Sequence, residues 1–280
     1  MKKYLLIALT ALFLLPFMML GHSEAASKGK ILVIASSQNK LELANGSMMD
    51  VGFFLNEFAI PAEYLAERGY EIILATPSGE MPAMDKGSND KKFFDGNEVA
   101  RAKAEAFVSA LRPISLKAAI DGGLDRFAGI FIPGGHAPMT DLMQDENLGK
   151  MLRYFHEAGK PTAMICHGPV AALAALPNAA AYREALVKKD AKAAMEAAQG
   201  WIYSGYRMTV FSDAEEWPGE VKGKGMPFHV EQALQIAGGV MVEGNLYKSN
   251  VVRDRELITG QNPASDKELA EEMEKALSKR

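Results

Sequence analysis

The predicted chemistry centres on Cys166, the single cysteine in a chain of 280 residues. It follows an apolar run at residues 163–165, typical of the end of a buried strand, and precedes a helix-favouring stretch at residues 171–173. Pro169 suits the first turn of that helix, where its missing N–H costs nothing. A thiol at a helix N-terminus lies near unpaired N–H groups and the positive end of the dipole, which favour the thiolate. We therefore interpret Cys166 as a nucleophile with His167 as its proton-transfer partner. The alternative is an inert buried cysteine.

A glycine pair, Gly134 and Gly135, follows another apolar strand and can present backbone N–H groups to the same place. Together with the N–H of His167, these groups meet the requirement of an oxyanion hole. An ordinary tight turn is the alternative interpretation. His136 comes directly after the glycines, and we expect it to line the pocket.

Two carboxylates are candidates for the remaining steps. Glu57 lies in an apolar helical stretch. It either faces solvent or is buried with a raised pKa, in which case it can relay a proton. Glu216 is the candidate acid that orients His167, with Glu215 and Asp213 as rivals in the same acidic segment.

A metal site is not predicted. His136, His229 and Glu231 are scattered along the chain without the close spacing typical of metal ligands. One cysteine excludes both a cysteine zinc cluster and an intrachain disulfide.

The elements that must position these residues follow an α/β pattern. Residues 30–36 and 70–76 are apolar enough for strands of a parallel sheet, buried on both faces. Residues 51–68 between them have helical periodicity, although Pro61 predicts a kink or a break. Strand, helix and strand form a βαβ unit with a right-handed crossover. Sites in such sheets lie beyond the carboxyl ends of the strands, where the cysteine and the glycine pair are expected.

The rest of the chain continues this alternation. The long loop at residues 77–95 is expected to wall the active site. The charged, alanine-rich residues 179–199 indicate an inserted surface helix. Further helices are predicted at residues 98–111, 142–158, 228–237 and 267–277, further strands at residues 125–132, 207–211 and 239–242, and a hairpin at residues 250–260.

Residues 1–26 have the plan of a secretory signal peptide: a charged start, an apolar run over residues 4–20, and small residues before a cleavage point after Ala25 or Ala26. An uncleaved membrane anchor is the alternative. Residues 27–280 suit one domain. We expect a protein exported to a bacterial periplasm or the cell exterior, with no stable membrane span after cleavage.

The charge pattern argues against nucleic acid as a partner. The formal net charge is −4, and no basic stripe with interleaved aromatic residues is present in the sequence.

Three motifs resemble the PfpI-like, class I glutamine amidotransferase-like superfamily: Ala-Met-Ile-Cys-His-Gly-Pro at residues 163–169, Ile-Pro-Gly-Gly-His at 132–136, and Gly-x4-Glu-x3-Pro at 52–61. Residues 75–79, 209–216 and 258–265 are similar to its larger branch, which contains heat-shock chaperones and glutathione-independent glyoxalases (glyoxalase III). The resemblance implies a flavodoxin-like three-layer α/β sandwich with a mostly parallel sheet, a nucleophile elbow, a homodimer and no cofactor.

The resemblance also implies roles. Cys166 would attack the aldehyde of methylglyoxal or a similar small dicarbonyl, Glu57 would touch the thiol, and Glu216 would be the triad acid behind His167. A base then moves a proton between the two carbons through an enediolate, and hydrolysis releases lactate. The sequence departs from many relatives at residues 137–138, where Ala-Pro replaces a further glycine, and in the 179–199 insertion.

Two other functions stay open at this point. One is a cysteine hydrolase of amide or peptide bonds, since the superfamily includes proteases and amidotransferases. The pair His229 and Glu231 superficially resembles the amidotransferase His-x-Glu, although here it is predicted to open a helix. The other is an exported chaperone or redox-stress protein in which Cys166 is oxidised.

Overall fold

The structure is a computed structural model that describes residues 27–216 and 224–279. The predicted signal peptide, residues 1–26, lies outside the described residues, so the cleavage prediction is not tested. Among the described residues, the helices are too short or too polar to cross a lipid bilayer.

The described chain alternates strands and helices. The strands are β1 (Gly29–Ile34), β2 (Lys40–Glu42), β3 (Met48–Asp50), β4 (Tyr70–Thr76), β5 (Ile114–Ser115), β6 (Phe127–Ile132), β7 (Thr162–Ile165), β8 (Arg207–Met208), β9 (Val240–Met241), β10 (Val251–Asp254) and β11 (Leu257–Gly260). The α-helices are α1 (Leu55–Glu67), α2 (Glu98–Ala110), α3 (Leu116–Asp121), α4 (Glu146–Glu157), α5 (Ala179–Val187), α6 (Ala191–Ala197), α7 (Asp213–Glu216), α8 (Val230–Ile236) and α9 (Asp266–Leu277).

The central sheet has the order β10-β11-β7-β6-β1-β4-β5. Its strand pairs are parallel except for the hairpin of β10 and β11, which is antiparallel as the sequence predicted. Antiparallel pairing only at one edge is a common variation on a parallel sheet. This architecture confirms the predicted flavodoxin-like α/β fold.

Two hydrophobic cores cover the two faces of the sheet. Successive side chains of β1 alternate between them, with Leu32 and Ile34 in one core and Ile31 and Val33 in the other. Helices α1, α2 and α9 cover the second face, while α3, α4, α5 and α8 cover the first. Because both faces are covered, the inner strands are apolar throughout, which explains why their sequences were recognisable.

Strands β6 and β7 are parallel neighbours, with Ile132 opposite Met164. Each chain segment leaves its strand at the same edge of the sheet, so Gly134 and Cys166 are brought side by side. The prediction of a site beyond the carboxyl ends of these strands therefore rests on an observed register.

Four local predictions need correction. Helix α1 runs through Pro61 without a break, because its inward face, including Phe58 and Leu65, is fully buried and tertiary packing outweighs the lost hydrogen bond. Residues 179–199 form two helices joined at Lys189, which has a positive φ of 57°, and Tyr182 is buried in the core.

The other two corrections concern strands. Within the predicted strand at residues 207–211, the structure has a β-strand at Arg207–Met208 only, and this strand pairs with β9 outside the main sheet. Strands β2 and β3 form a hairpin in a segment predicted as a polar loop.

Candidate active site

Cys166 lies on a strained turn at the end of β7. Its φ of +59° is in the left-handed region, which costs a non-glycine residue about 1–3 kcal/mol and is typical of functional sites. The neighbours hold this conformation: the Cys166 N–H donates to the Gly260 carbonyl at 2.9 Å, and its carbonyl accepts from the Phe211 N–H at 2.9 Å. A Cβ on Gly168 would lie 2.8 Å from the Ile132 carbonyl oxygen, so only glycine lets the turn approach the end of β6. This strained turn between a strand and a helix is the backbone geometry predicted for a nucleophile elbow.

The thiol is buried, and its pKa is raised. Burial raises the pKa of Cys166 well above its usual range, the nearby Glu57 carboxyl adds to this, and the N–H groups of Gly135 and His167 act in the opposite direction. The expectation that a helix dipole makes this thiol a resting thiolate is therefore wrong. The following helix is a short 3₁₀ helix, Gly168–Ala175, and its N-terminal effect does not outweigh desolvation.

Glu57 is fully buried beside the thiol, on the first turn of α1. Among the described residues, neither of its carboxylate oxygens has a hydrogen-bond partner of good geometry. Burial raises the pKa of Glu57 well above its usual range, and the Cys166 thiol and the Gly134 N–H lower it only in part. The buried alternative of the sequence interpretation is therefore the correct one, and the environment favours a protonated carboxyl group.

The two N–H groups of the glycine pair act on two different side chains. The Gly135 N–H acts on the Cys166 thiol, whereas the Gly134 N–H acts on the Glu57 carboxyl. Gly135, with a φ of +84°, also comes so close to the Gly52 carbonyl that a side chain has no room. The donors near the sulfur are thus the N–H groups of Gly135 and His167.

On the other side of the thiol, His167 connects Cys166 to Glu216. The Cys166 Sγ lies 3.2 Å from His167 Nδ1, and His167 Nε2 lies 2.6 Å from Glu216 Oε2. The imidazole stacks on the Phe211 ring, with 4.8 Å between centroids. Burial, together with the neighbouring His136, lowers the pKa of His167.

Glu216 remains ionised in this setting. Burial alone would raise its pKa, but His167 and His136 hold the pKa of Glu216 far below its usual range. A carboxylate accepts hydrogen bonds only, so His167 must donate from Nε2. A neutral His167 then has its free lone pair on Nδ1, facing the thiol. This tautomer is assigned from the hydrogen-bond network, and it prepares His167 to accept the thiol proton.

His136 contacts both Glu216 and His167, whereas the sequence predicted only that it lines the pocket. Its Nε2 lies 3.3 Å from Glu216 Oε1, and its ring centroid lies 4.1 Å from that of His167. Its side chain keeps 25% of its surface exposed, whereas that of His167 keeps 2%. Sequence reasoning missed that the two histidines share one carboxylate, because 80 residues separate His136 from Glu216.

The rivals of Glu216 point elsewhere. Glu215 accepts from the Tyr247 N–H at 2.6 Å and from Asn262 Nδ2 at 2.7 Å, and so anchors two loops. Asp213 lies 3.5 Å from His229 Nδ1. His229 immediately precedes α8, so that His229 and Glu231 lie at the start of a helix, as the sequence predicted. Of the three acidic candidates, only Glu216 is hydrogen-bonded to His167 among the described residues.

The two halves of the long loop after β4 contact different regions of the protein. Phe53 exchanges backbone hydrogen bonds of 2.9 Å with Ala83 and Asp85, which fixes part of the loop next to the glycine pair. Residues 92–95 line a cavity of about 740 Å³ between α1 and α2, and Cys166 is not among its lining residues. Residues 92–95 of this loop therefore belong to a different cavity, and for the first half of the loop the expectation that it walls the active site stays a prediction.

Comparisons with known proteins place the chain among relatives. Residues 49–198 match the sequence profile of the DJ-1/PfpI family. A Staphylococcus aureus protein named protein/nucleic acid deglycase HchA is 26% identical over 261 residues, covering 86% of this chain and 77% of that protein.

Two solved structures share the fold. The Rapid Encystment Protein 24 kDa of Francisella tularensis has a TM-score of 0.67 at 20% identity, covering 89% of this chain and 99% of that one. Glyoxalase III from Candida albicans has a TM-score of 0.63 at 22% identity, and the match covers 90% of this chain and 98% of that one.

Proposed function

We propose that this chain, which belongs to the DJ-1/PfpI family, is a cysteine-dependent, glutathione-independent glyoxalase or deglycase-type enzyme that acts on methylglyoxal or similar small dicarbonyls. The observation that carries the proposal is the position of Cys166 between a buried carboxyl that favours its proton, Glu57, and a His167–Glu216 pair that is ready to accept one. The similarity to proteins named deglycase supports the same class of substrate.

In the proposed first step, the thiol proton passes to His167 Nδ1 and the sulfur attacks the aldehyde carbon of methylglyoxal. The C=O π bond breaks, and the oxygen becomes an alkoxide within reach of the Gly135 and His167 N–H groups, which stabilise the developing charge. The imidazolium that forms is stabilised by Glu216, which stays ionised. Return of the proton from the imidazolium to the alkoxide then gives a hemithioacetal on Cys166 and neutral His167.

The second step moves a proton between the two substrate carbons. A base removes the proton from the former aldehyde carbon, which gives an enediolate, and a proton is then returned to the neighbouring carbon. Glu57 is the group that relays this proton, because burial raises the pKa of its carboxyl well above the usual range, so that it holds a proton that it can donate and later take back. Water then hydrolyses the resulting thioester, releasing lactate and restoring the thiol. One methylglyoxal and one water balance one lactic acid.

A deglycase reaction would start in the same way. The adduct of a dicarbonyl with an amine retains an electrophilic carbon. Cys166 would form the C–S bond at this carbon while the C–N bond breaks, and the thiol proton, carried by His167, would leave on the amine. The hemithioacetal that results enters the same proton transfer and hydrolysis. The two activities therefore share one mechanism and differ in how large a substrate the entrance admits.

The test is lactate formation from methylglyoxal without glutathione, by the protein and by its Cys166→Ala variant. The proposal predicts lactate from the wild-type protein and none from Cys166→Ala, with circular dichroism showing that the variant is folded. A Glu196→Gln variant, on the exposed face of α6, is a matched control that should retain activity. No lactate from folded wild-type protein, or equal lactate from Cys166→Ala, would overturn the proposal, and release of ammonia or peptide cleavage would favour the hydrolase.

We further propose that the enzyme acts outside the cytoplasm, as a homodimer. The motivation is the sequence of residues 1–26 and the family resemblance. Cell fractionation with N-terminal sequencing of the mature protein, and light scattering of the purified protein, test the two points. Cytoplasmic protein that still begins at Met1, or a monomer, would contradict them.

A further inference from the structure

We propose that His136, His167 and Glu216 form a binding site for a divalent transition-metal ion such as Zn²⁺, and that the bound ion blocks the thiol chemistry. The binding depends only on geometry. The effect on catalysis rests on the proposed function.

The three side chains converge on one point. Their candidate ligand atoms lie within 4.8 Å of one another, with His136 Nε2 3.3 Å from Glu216 Oε1 and His167 Nε2 2.6 Å from Glu216 Oε2. Zinc binds nitrogen and oxygen ligands at about 2.0–2.2 Å in tetrahedral geometry, which places neighbouring ligands roughly 3.3–3.6 Å apart. The contact of His136 Nε2 with Glu216 has this spacing at 3.3 Å, the contact of His167 Nε2 at 2.6 Å has to open, and the widest pair of ligand atoms, within 4.8 Å, has to close.

The ligand atoms, and the contacts that hold the ligand side chains in place, suit such an ion. Two imidazoles and one carboxylate are the donor set of many zinc sites that keep a fourth position open, and imidazole also suits copper and nickel ions. His136 is partly exposed and gives the ion access, while Phe211 fixes the plane of the His167 ring. Metal-bound histidines usually donate their second N–H to a fixed partner, and Cys166 Sγ occupies that place at 3.2 Å from Nδ1.

The thiol itself is not expected to be a ligand. Cys166 Sγ faces Nδ1 of His167, whereas the metal would bind Nε2 on the other side of the ring. A site built on two histidines and Glu216 should therefore survive the loss of the sulfur. This separates the proposal from metal capture by the reactive cysteine.

Binding would change the proton at His167. The ion needs a lone pair at Nε2, so the single ring proton of neutral His167 leaves Nε2 and Nδ1 becomes the protonated nitrogen. A metal-bound His167 with a proton on Nδ1 cannot accept the thiol proton. The metal form would therefore lack the base that starts the proposed reaction.

The experiment measures binding directly. Metal-free protein is titrated with Zn²⁺ by calorimetry and with Co²⁺ by visible absorption, for the wild type and for His136→Gln, Cys166→Ser and His156→Gln. His156 is the matched control, because it also pairs with a glutamate, Glu256 at 2.7 Å, at a different place in the fold. We expect one ion per chain, binding at least about tenfold weaker in His136→Gln, and unchanged affinity in Cys166→Ser and His156→Gln.

Other results overturn the site. Absence of binding, equal binding by His136→Gln, or loss of binding in Cys166→Ser would each contradict it, and thermal melts of each variant show that it is folded. Because the readout is binding, its failure is distinct from failure of the proposed function. A chain that binds one ion but makes no lactate would keep the metal site and remove the enzyme proposal.

Discussion

Glu57 and Glu216 are both glutamates and lie on opposite sides of the Cys166–His167 pair. The fold shifts the pKa values of their carboxyl groups in opposite directions. Glu57 is buried without a good hydrogen-bond partner among the described residues, which raises its pKa. Glu216 is buried too, but its two oxygens face two histidines, which hold its pKa low. Burial is common to both carboxylates, so their neighbours decide the difference.

This difference gives the two carboxyl groups different roles in the proposed reaction. A carboxyl that favours its proton is suited to donate and relay it, and a carboxylate that stays ionised is suited to orient and stabilise a histidine. Two acids whose environments separate their pKa values are a usual sign of acid–base chemistry. The same substitution at the two positions should therefore have different consequences.

The largest effects are expected on catalysis. Glu57→Gln and Glu216→Gln should each lower kcat for lactate formation by about 10²–10⁴-fold, because the first removes a proton relay and the second removes the anion behind His167. Steady-state kinetics of both variants measure this. Intact turnover in Glu57→Gln would remove the relay role, and intact turnover in Glu216→Gln would remove the triad role.

The pH dependence of stability should separate the two positions. The folded-state pKa of Glu57 is raised, so its ionisation destabilises the fold as pH rises from about 4.3 through that raised value. The folded-state pKa of Glu216 is lowered, so its contribution is complete above about 4.3 and is lost as pH falls through the lowered value. Each pKa unit corresponds to about 1.4 kcal/mol.

Urea unfolding across the pH range tests this contrast. Glu57→Gln should flatten the loss of stability on the alkaline side, and Glu216→Gln should flatten the loss on the acid side. Both variants changing the same side of the curve would show that the two environments are not opposite.

Gly134→Ala should disturb the close packing between Glu57 and the Cys166 turn. The new Cβ would lie 2.5 Å from Cys166 Cβ and 2.7 Å from the Ile165 carbonyl, and would overlap the Glu57 carboxyl. We expect a loss of about 1–3 kcal/mol in the free energy of unfolding, with lower activity. Gly87→Ala is the matched control, because the nearest atom to its new Cβ is a side-chain oxygen, Asp85 Oδ1 at 3.1 Å, and not backbone. Equal stability of the two variants would contradict the tight contact.

Much of the fold was predictable because its signals are local. Residues close together in the sequence indicate the apolar runs of β1, β4 and β7, the hairpin before α9 and the strand–cysteine–helix turn. The superfamily resemblance drawn from those motifs is confirmed by the family match. Helix α1 running through Pro61 and the two helices in residues 179–199 were missed, since tertiary burial decides both.

The site was predictable in part. The sequence offered Glu57 and Glu216 as candidates, yet the burial of Glu57 and the choice of Glu216 over Glu215 depend on contacts between distant segments. The raised pKa of the Cys166 thiol also depends on burial, which the motif does not encode. The shared carboxylate of His136 and His167 had no signal in the sequence at all.

A smaller effect is expected at Glu215, the neighbour of Glu216. Glu215→Gln would place an amide N–H₂ against donors in either orientation, the Tyr247 N–H and Asn262 Nδ2 at one position or the Ser212 N–H and Gln261 Nε2 at the other, which costs about 1–3 kcal/mol of stability. The His167–Glu216 pair should remain, so kcat should fall much less than in Glu216→Gln. A loss of activity as large as that of Glu216→Gln would show that the two neighbours do not have separate roles.

The most direct test of the opposite protonation states is infrared spectroscopy at neutral pH. Wild type minus Glu57→Gln should show the carbonyl stretch of a protonated carboxyl group, and wild type minus Glu216→Gln should show only the bands of an ionised carboxylate. If the Glu57 difference spectrum lacks a protonated carboxyl band, or if that band follows Glu216 instead, the proposed division of roles is wrong.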